Sequence, residues 1–458
     1  MVDLLVKARV IYCMDGTKRI IKDGAVAVEE GCIVDVGSES ELVREYTADR
    51  IIDAPANALL PGFVNVHTHL GEDFVRGVYG VVEEGLYDVL FPVMNFIDPR
   101  YMYSFGLVDC AEAVNAGVTT VQQSLNYMDA FAKAVEETGV RANIGEEISE
   151  FDYDKVKDGE YVFLPEQGKE MYERAVKLAQ TWHGKADGRI QVCFHPLAPD
   201  MCTPQLYEKV KEEALSRGLK ITTHLAQSLS EVRQVKKLYD KTPVEYLNDL
   251  GVLGGDLFAA HCIYTTENDL KILRETDSRI LHCPRSWLLE GTTAALARWL
   301  EIGIKVGLGT DDVYHNMWEV MRAALYAARI RFALEKGPRP PGFYELLELA
   351  TIKGAKAIGM GDEIGSIERG KKADLQLIDL HDPHLTPTVD LTSSLVLYGS
   401  TASVDTVIVN GRVVKDNGVI TTVNVNSCVD EAQALSDELW KKLFTAFPKL
   451  EKQVRSTS

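Results

Sequence analysis

Short apolar runs alternate with amphipathic stretches through the middle of the chain, from about residue 60 to about residue 361. Apolar runs of strand length that alternate with helical patterns are typical of β/α units on a parallel sheet. Eight parallel strands in one domain predict a closed (β/α)8 barrel of the TIM type. The predicted strands span residues 62–67, 117–124, 141–147, 190–196, 220–225, 257–262, 279–284 and 305–311.

The two ends of the chain have a different pattern. Short strand-like runs separated by turn dipeptides such as Asp15-Gly16 and Asn410-Gly411 occupy residues 3–53 and the stretch after the barrel. We therefore expect both ends to build one small β-sandwich domain. The predicted domains are the sandwich (1–59 with 366–426), the barrel (60–365) and a C-terminal helix and tail (427–458).

Composition narrows the class of partner. The 458 residues carry 49 basic and 68 acidic side chains, a formal net charge of −19, which disfavours nucleic acid and anionic membranes and favours small neutral or cationic molecules. The chain has no apolar stretch of about 18 residues and no signal-peptide pattern at its start, so a cytoplasmic protein is expected. Eight cysteines without CxxC spacing indicate buried free thiols.

Candidate metal ligands lie at the ends of predicted strands. His67 and His69 are two residues apart, so both imidazoles lie on one face of an extended chain and can reach the same ion. Such a pair also occurs as an ordinary polar strand end. However, His224, His261 and Asp311 end the fifth, sixth and eighth predicted strands, where barrel enzymes place catalytic groups. The set predicts one divalent ion, with Zn²⁺ preferred and Fe²⁺, Mn²⁺ or Co²⁺ as alternatives.

The motifs around these residues resemble those of the amidohydrolase superfamily, within it the subgroup of aromatic deaminases and triazine chlorohydrolases. The motifs are Pro61-Gly62-Phe63, His67-Thr68-His69, Thr223-His224-Leu225-Ala226, Ala260-His261-Cys262, His282-Cys283-Pro284, Gly309-Thr310-Asp311 and the segment 364–375. The resemblance runs nearly end to end. It implies that His67, His69, His224 and Asp311 bind the metal, and that His261 either binds it or contacts its water.

Metal chemistry gives the expected mechanism. The ion lowers the pKa of a water molecule, and Asp311 takes its proton while the oxygen attacks an sp² carbon. The protonated Asp311 can then deliver that proton to the departing nitrogen, and His261 can donate a hydrogen bond to the oxyanion.

Many relatives hold a second ion through a lysine on the third or fourth strand. Neither strand contains lysine here, so a mononuclear site is predicted, with Glu146 or Glu147 as candidate bridges.

Three positions depart from the deaminase pattern. Three residues after the fifth-strand histidine the deaminases carry a proton-shuttling glutamate, whereas this chain has Gln227, whose amide cannot relay protons. We assign Gln227 to orienting the substrate. Two histidines of the deaminases are replaced by Leu197 and Tyr264, which makes the usual recognition of purine nucleosides doubtful.

These departures favour hydrolysis of a C–N bond in a small neutral amide, urea or carbamate, as in the phenylurea and thiocarbamate hydrolases. The alternative is an aminohydrolase or chlorohydrolase acting on a heteroaromatic ring such as a triazine, purine or pyrimidine. A catalytically silent relative is disfavoured because all five candidate ligands are present, and the resemblance implies a homo-oligomer.

The predicted substrate contacts are His282, Gln123, Glu146, Asp312, Tyr264 and His315. The apolar segment 71–92 is expected to cover the barrel mouth as a lid.

Overall fold

The computed structural model describes residues 1–78, 89–156 and 160–456. The strands are β1 (Val2–Tyr12), β2 (Ile20–Glu29), β3 (Cys32–Ser38), β4 (Ala48–Pro61), β5 (Phe63–Thr68), β6 (Val118–Leu125), β7 (Arg141–Ile148), β8 (Ile190–Pro196), β9 (Ile221–Leu225), β10 (Leu257–His261), β11 (Arg279–His282), β12 (Val306–Leu308), β13 (Leu375–Asp379), β14 (Val404–Val409), β15 (Arg412–Asp416) and β16 (Val419–Ile420). The helices are α1 (Glu39–Glu45), α2 (Phe91–Met94), α3 (Pro99–Asn115), α4 (Met128–Thr138), α5 (Tyr153–Val156), α6 (Pro165–Trp182), α7 (Pro204–Arg217), α8 (Leu229–Tyr239), α9 (Pro243–Asp249), α10 (Glu267–Glu275), α11 (Pro284–Leu289), α12 (Leu296–Glu301), α13 (Met317–Glu335), α14 (Phe343–Leu349), α15 (Ile352–Ala357), α16 (Leu391–Tyr398), α17 (Val425–Ala446) and α18 (Pro448–Ser456).

Strands β5 to β12 form a parallel sheet in which each strand pairs with the next along the chain. The sheet closes beyond β12, where the Asp311 N–H donates to the His67 carbonyl and the His69 N–H donates to the Asp311 carbonyl, both at 3.0 Å. A Cβ on Gly309 would lie 2.7 Å from the His67 carbonyl oxygen, so glycine is required for this close approach. The predicted β/α barrel is confirmed.

The barrel strands lie close to their predicted positions, and the last two are shorter than expected. Strand β11 stops at His282 because Pro284 begins α11, and proline is favoured in the first turn of a helix. Strand β12 covers only Val306–Leu308, and the chain then turns into the residues that close the barrel. The position of Asp311 at the rim is unaffected, because its backbone hydrogen bonds to His67 and His69 hold it there beyond the end of β12.

The chain ends pair in one continuous sheet in the order β16-β15-β14-β13-β4-β1-β2-β3. Both chain ends thus contribute to one domain, as expected, and hydrogen bonds join its eight strands. The sequence pattern predicts a short strand over 50–53, whereas β4 continues to Pro61, because a register shift against β1 accommodates Pro55 within the strand. Buried apolar side chains from several strands of this sheet pack together in one core. They include Leu4, Val6, Ile11, Val26, Val28, Ile33, Leu59, Leu375, Leu377 and Ile408.

The C-terminal helix, which the sequence predicts over 429–447, begins at Val425 and packs on α3. The Trp440 indole N–H donates to the Phe74 carbonyl at 2.7 Å, which ties α17 to the segment that follows β5. All eight cysteines are free, as predicted. Within the described ranges, no helix combines the length and apolar character needed to cross a membrane.

A buried ion pair joins the barrel to the terminal sheet. Arg141 on β7 donates to both carboxylate oxygens of Asp374, from Nε to Oδ2 at 2.7 Å and from Nη2 to Oδ1 at 3.0 Å. Both side chains are at most 2% exposed. Asp374 Oδ1 also accepts the Asn410 N–H at 2.7 Å. The pair therefore holds the start of β13 against the barrel.

We predict that Asp374→Asn lowers the free energy of unfolding by about 3 to 5 kcal/mol, because it leaves the Arg141 charge buried without compensation. The matched control is Asp416→Asn, which breaks an exposed pair with Arg50 (2.8 Å) and is expected to cost less than about 1 kcal/mol. Denaturant unfolding of the two variants tests this, and equal shifts would contradict the structural role of the buried pair.

Candidate metal centre

The five predicted ligands meet at the C-terminal rim of the barrel. His67 Nε2 lies 3.3 Å from Asp311 Oδ1, His69 Nε2 lies 3.6 Å from the same oxygen, and His261 Nε2 lies 4.0 Å from it. His224 Nε2 lies 3.4 Å from His69 Nε2. These separations are close to those of atoms that share one metal ion, since bonds of about 2.0–2.1 Å put neighbouring ligands of a tetrahedral ion about 3.4 Å apart.

The residues fit a divalent cation. Both ring nitrogens of His67 are buried and have no hydrogen-bond partner in the part of the chain that the structure describes. Such an arrangement costs free energy unless a ligand satisfies the ring. Donor atoms of His67, His224 and His261 all lie within 4.8 Å of one another. Cys283 Sγ lies similarly close to His67 and Asp311, and burial raises its pKa well above the usual value, which keeps it a neutral thiol.

Backbone carbonyls orient two of the imidazoles. His69 Nδ1 lies 2.8 Å from the Ser124 carbonyl, and His224 Nδ1 lies 2.9 Å from the Leu197 carbonyl. A carbonyl only accepts, so each Nδ1 carries the proton and each Nε2 keeps its lone pair for a metal. Burial lowers the pKa of His69 to about 4, so the ring is neutral near pH 7 and competent as a ligand.

In His261 the proton lies on the other ring nitrogen than in His69 and His224. The indole N–H of Trp287 donates to His261 Nδ1 at 2.8 Å. Because an indole nitrogen can only donate, Nδ1 accepts and the proton of the neutral ring lies on Nε2, which faces Asp311. The sequence left open whether His261 binds the metal or contacts its water. The hydrogen bond from Trp287 favours His261 as a hydrogen-bond donor in the site.

Two of the site residues have an unusual backbone conformation. His261 has φ of +74° and Asp311 has φ of +70°, in the left-handed region that side chains other than glycine rarely adopt. Such conformations persist where the surrounding structure fixes them, and they cluster at functional sites. Here His261 ends β10 and Asp311 lies at the closure of the barrel, and the two side chains approach each other to 4.0 Å.

A cavity adjoins these residues. It is lined by His69, Glu72, Leu90, Phe91, Leu125, Glu147, Leu197, Met201, His224, Gln227, His261, Trp287, Asp311 and Asp312. Leu90 and Phe91 come from the predicted lid segment, whereas its residues Tyr79, Leu86 and Tyr87 lie outside the described residues. The lining therefore combines apolar side chains with the metal-ligand candidates and further carboxyl groups.

The carboxyl groups differ in their partners. Glu147 accepts hydrogen bonds from the Tyr153 hydroxyl and, at 3.4 Å, from Asn126. Asp312 accepts from the Ser286 hydroxyl at 3.2 Å, and burial raises its pKa to about 7. Glu72 has no ion pair within the described part of the chain, and burial together with nearby carboxylates raises its pKa well above the usual value.

Of the predicted substrate contacts, Asp312 lines the cavity, as does the catalytic candidate Gln227. Gln123 points elsewhere, since its amide bonds the Leu70 N–H at 2.7 Å and the Leu70 carbonyl at 2.8 Å. Glu146 accepts two backbone N–H groups at the start of α4 and pairs with Arg174 at 2.8 Å. The structure thus gives both residues a supporting position behind the cavity.

The remaining three predicted contacts are not among the described lining residues of the cavity. His282 is buried with its ring edge to face with Trp299, at a centroid distance of 5.3 Å. The Tyr264 N–H donates to the Ala226 carbonyl at 2.9 Å. His315 Nδ1 lies 3.2 Å from the Thr68 hydroxyl, on the far side of the first ligand strand.

Sequence reasoning missed Glu72 and Trp287. Glu72 follows His69 by three residues at the same rim, which is a local signal that could have been used. Trp287 lies in α11, one helical turn after Cys283, and no pattern in the sequence shows that its indole reaches His261. The contact between Trp287 and His261 depends on how close the ends of β10 and β11 lie in the fold.

The comparisons with known proteins agree with this geometry. The model described as "Amidohydrolase family" matches residues 58–414. The chain belongs to the amidohydrolase family. As an amidohydrolase, it is a hydrolase that acts on carbon–nitrogen bonds other than peptide bonds, as its sequence predicted.

Among its relatives is a protein named 5'-deoxyadenosine deaminase from Methanosarcina acetivorans, 32% identical over 96% of this chain and 99% of that protein. A second, named 5-methylthioadenosine/S-adenosylhomocysteine deaminase, from Desulforamulus reducens, is 32% identical over 92% and 95%. An adenosine deaminase from Xanthomonas campestris with bound zinc superposes with a TM-score of 0.88 at 26% identity, covering 96% and 99%. These names support the ring-aminohydrolase alternative over the amide, urea or carbamate expectation.

We predict that His282 makes the protein sensitive to acid. Burial lowers the pKa of His282 to about 3 in the folded chain, whereas an unfolded histidine has a pKa near 6.5. Between these two values the unfolded chain takes up a proton and the folded chain does not. Stability should therefore fall with decreasing pH by about 1.4 kcal/mol per unit from this residue. His282→Gln should flatten the profile between about pH 6 and pH 4, measured by denaturant unfolding. The control, Leu281→Ala, should lower stability without changing the slope; an unchanged slope in His282→Gln would refute the prediction.

Proposed function

We propose that this amidohydrolase is a metal-dependent aminohydrolase that removes an amino group from a nitrogen-containing aromatic ring, with adenine-type rings as the leading substrate class. The observation that carries the proposal is the histidine–aspartate cluster, which opens on a cavity that is partly lined by apolar side chains. A flat apolar ring can pack against Leu90, Phe91, Leu125 and Met201 while its amino-bearing carbon faces Asp311. The deaminase names of the relatives support the same class.

His67, His69, His224 and Asp311 would hold one ion, with Zn²⁺ as our first choice. When bound, the ion lowers the pKa of water and so supplies the nucleophile. The Asp311 carboxylate accepts the proton of the attacking water and returns it to the leaving nitrogen. The Nε2–H of His261, fixed by the bond from Trp287, donates to the oxygen that develops negative charge.

A ring substrate also needs a proton donor for its ring nitrogen, and Gln227 cannot fill this role. We assign this role to Glu72, which lines the same cavity and is 3% exposed. The other carboxyl groups of the cavity accept hydrogen bonds from neighbouring donors or belong to the metal ligands. Glu72 protonates the ring nitrogen as the water oxygen bonds to the ring carbon. It recovers a proton from that oxygen when the carbonyl forms and ammonia leaves.

A second candidate is the hydrolysis of amides, ureas or carbamates. Gln227 favours it, because a carbonyl electrophile needs no protonated ring nitrogen and Asp311 can serve as the sole acid and base. In addition, Leu197 lines the cavity where the deaminases usually carry a histidine. If the substrate is a nucleoside, the Leu197 side chain therefore contacts an apolar part of it.

We predict that the purified protein releases ammonia from aminopurines or aminotriazines, that a chelator abolishes this activity, and that Zn²⁺ restores it. The measurement is ammonia release across a panel that also contains anilides, aryl ureas and carbamates. Turnover of the carbonyl compounds alone would replace the proposal by the second candidate. Turnover of neither class after reconstitution with Zn²⁺, Mn²⁺ or Co²⁺ would refute both.

The role of Glu72 predicts that Glu72→Gln lowers kcat on a ring amine by about 10²- to 10⁴-fold, the usual contribution of general acid catalysis. Metal content should not change, because Glu72 is not a ligand. The sharpest control is Glu72→Gln combined with Gln227→Glu, which moves the carboxyl to another position lining the same cavity and should recover part of the rate. Unchanged kcat in Glu72→Gln would refute the assignment.

A further inference from the structure

A second group of buried ligand-type side chains lies behind the first barrel strand, outside the active-site cavity. Asp73 follows β5, Asp109 lies on α3, and His315 lies four residues after Asp311. One donor atom from each lies within 4.8 Å of the others. Asp109 and His315 are fully buried, and the Asp73 side chain is 6% exposed. We refer to these three residues as the rear cluster.

The distances within the rear cluster resemble those at the predicted catalytic metal site. His315 Nε2 lies 3.5 Å from Asp73 Oδ1 and 3.8 Å from Asp109 Oδ2. These separations are too long for hydrogen bonds of normal strength. They are close to the separation of about 3.4 Å expected for two ligands of one tetrahedral ion. At the catalytic site the corresponding nitrogen–oxygen distances are 3.3 to 4.0 Å.

The protonation pattern of His315 directs a lone pair into the cluster. The Thr68 hydroxyl donates its single proton to the Asp311 carbonyl at 3.1 Å. It must therefore accept from His315 Nδ1, 3.2 Å away, so in the neutral ring Nε2 is the unprotonated nitrogen. Among the described residues, His315 Nε2 is buried without a hydrogen-bond partner, as is Asp109 Oδ1. An unpartnered nitrogen lone pair that faces two carboxyl groups is the arrangement that a cation satisfies.

The surrounding charges also favour a cation. Arg76 contacts Asp73 and pairs with Glu112 at 2.6 Å, so one guanidinium is shared between two acidic side chains. Burial, with the neighbouring Asp73 charge, raises the pKa of Asp109 well above its usual value. Without a further positive charge, two adjacent buried carboxylates cannot both ionise. A divalent ion would allow both to do so.

We propose that Asp73, Asp109 and His315 bind a second divalent cation, distinct from the catalytic one, that joins the segment after His69 to the loop after Asp311. One imidazole and two carboxylates suit Zn²⁺, with Mn²⁺ and Co²⁺ as the nearest alternatives. The ion holds together the two segments that carry catalytic ligands, so its role is to position them. The proposal does not depend on the substrate of the enzyme.

Metal analysis of the full-length protein after reconstitution with Zn²⁺ alone tests the proposal. The expected contents are two ions per chain in the parent protein, one in His67→Ala with Asp311→Asn, and one in Asp109→Asn. The catalytic-site double variant keeps the rear cluster intact, so a retained ion there does not depend on whether Asp109→Asn folds. A parent protein with one ion, or a catalytic-site variant with none, would overturn the second site and would show that the cluster shares a proton instead.

A thermal-shift measurement provides a second readout. Adding Zn²⁺ or Mn²⁺ to the metal-free catalytic-site variant should raise Tm, because the ion binds only the folded chain. The same addition to a triple variant that also carries His315→Gln should give no shift. Equal shifts in the two proteins would place the binding elsewhere and overturn the proposal.

Discussion

Closure of the barrel between β5 and the residues that follow β12 fixes the ends of two strands relative to each other, and the site depends on it. Asp311 exchanges backbone hydrogen bonds with His67 and His69, so these three residues cannot move independently. Asn65 reinforces the contact through two bonds to Thr310, at 2.7 and 3.0 Å. Ligands held by backbone pairing on rigid strands are preorganised, which reduces the free-energy cost of arranging them around an ion.

The terminal sheet contacts the start of β5, the strand that carries His67. Strand β4 leads through Gly62 directly into β5, and the Gly62 N–H donates to the Asp374 carbonyl at 2.9 Å. A Cβ on Gly62 would lie 2.0 Å from the Thr119 side chain, so the two sheets meet without space for a side chain. The buried Arg141–Asp374 pair lies at this junction. The terminal sheet therefore determines where the first ligand strand begins.

Burial and charge together give the site its chemical character. The imidazoles are buried, which lowers the pKa values of His69 and His261 and keeps them neutral. The carboxyl groups Glu72, Glu147, Asp311 and Asp312 crowd into one cavity, and no lysine or arginine is among its described lining residues. Such a site has an unbalanced negative potential that a divalent cation offsets, and a carboxyl that stays protonated becomes available as an acid.

The sequence alone determined the barrel, its eight strands and the convergence of His67, His69, His224, His261 and Asp311. These follow from local patterns: buried parallel strands are continuous apolar runs, and all strands of a barrel end at the same rim. Only the tertiary structure showed that Gln123 and Glu146 are engaged by backbone groups outside the cavity lining, that Glu72 lines the cavity, and that Trp287 sets the proton position of His261. The direction of a side chain beyond its strand end depends on contacts between segments far apart in the chain, and no local pattern encodes those contacts.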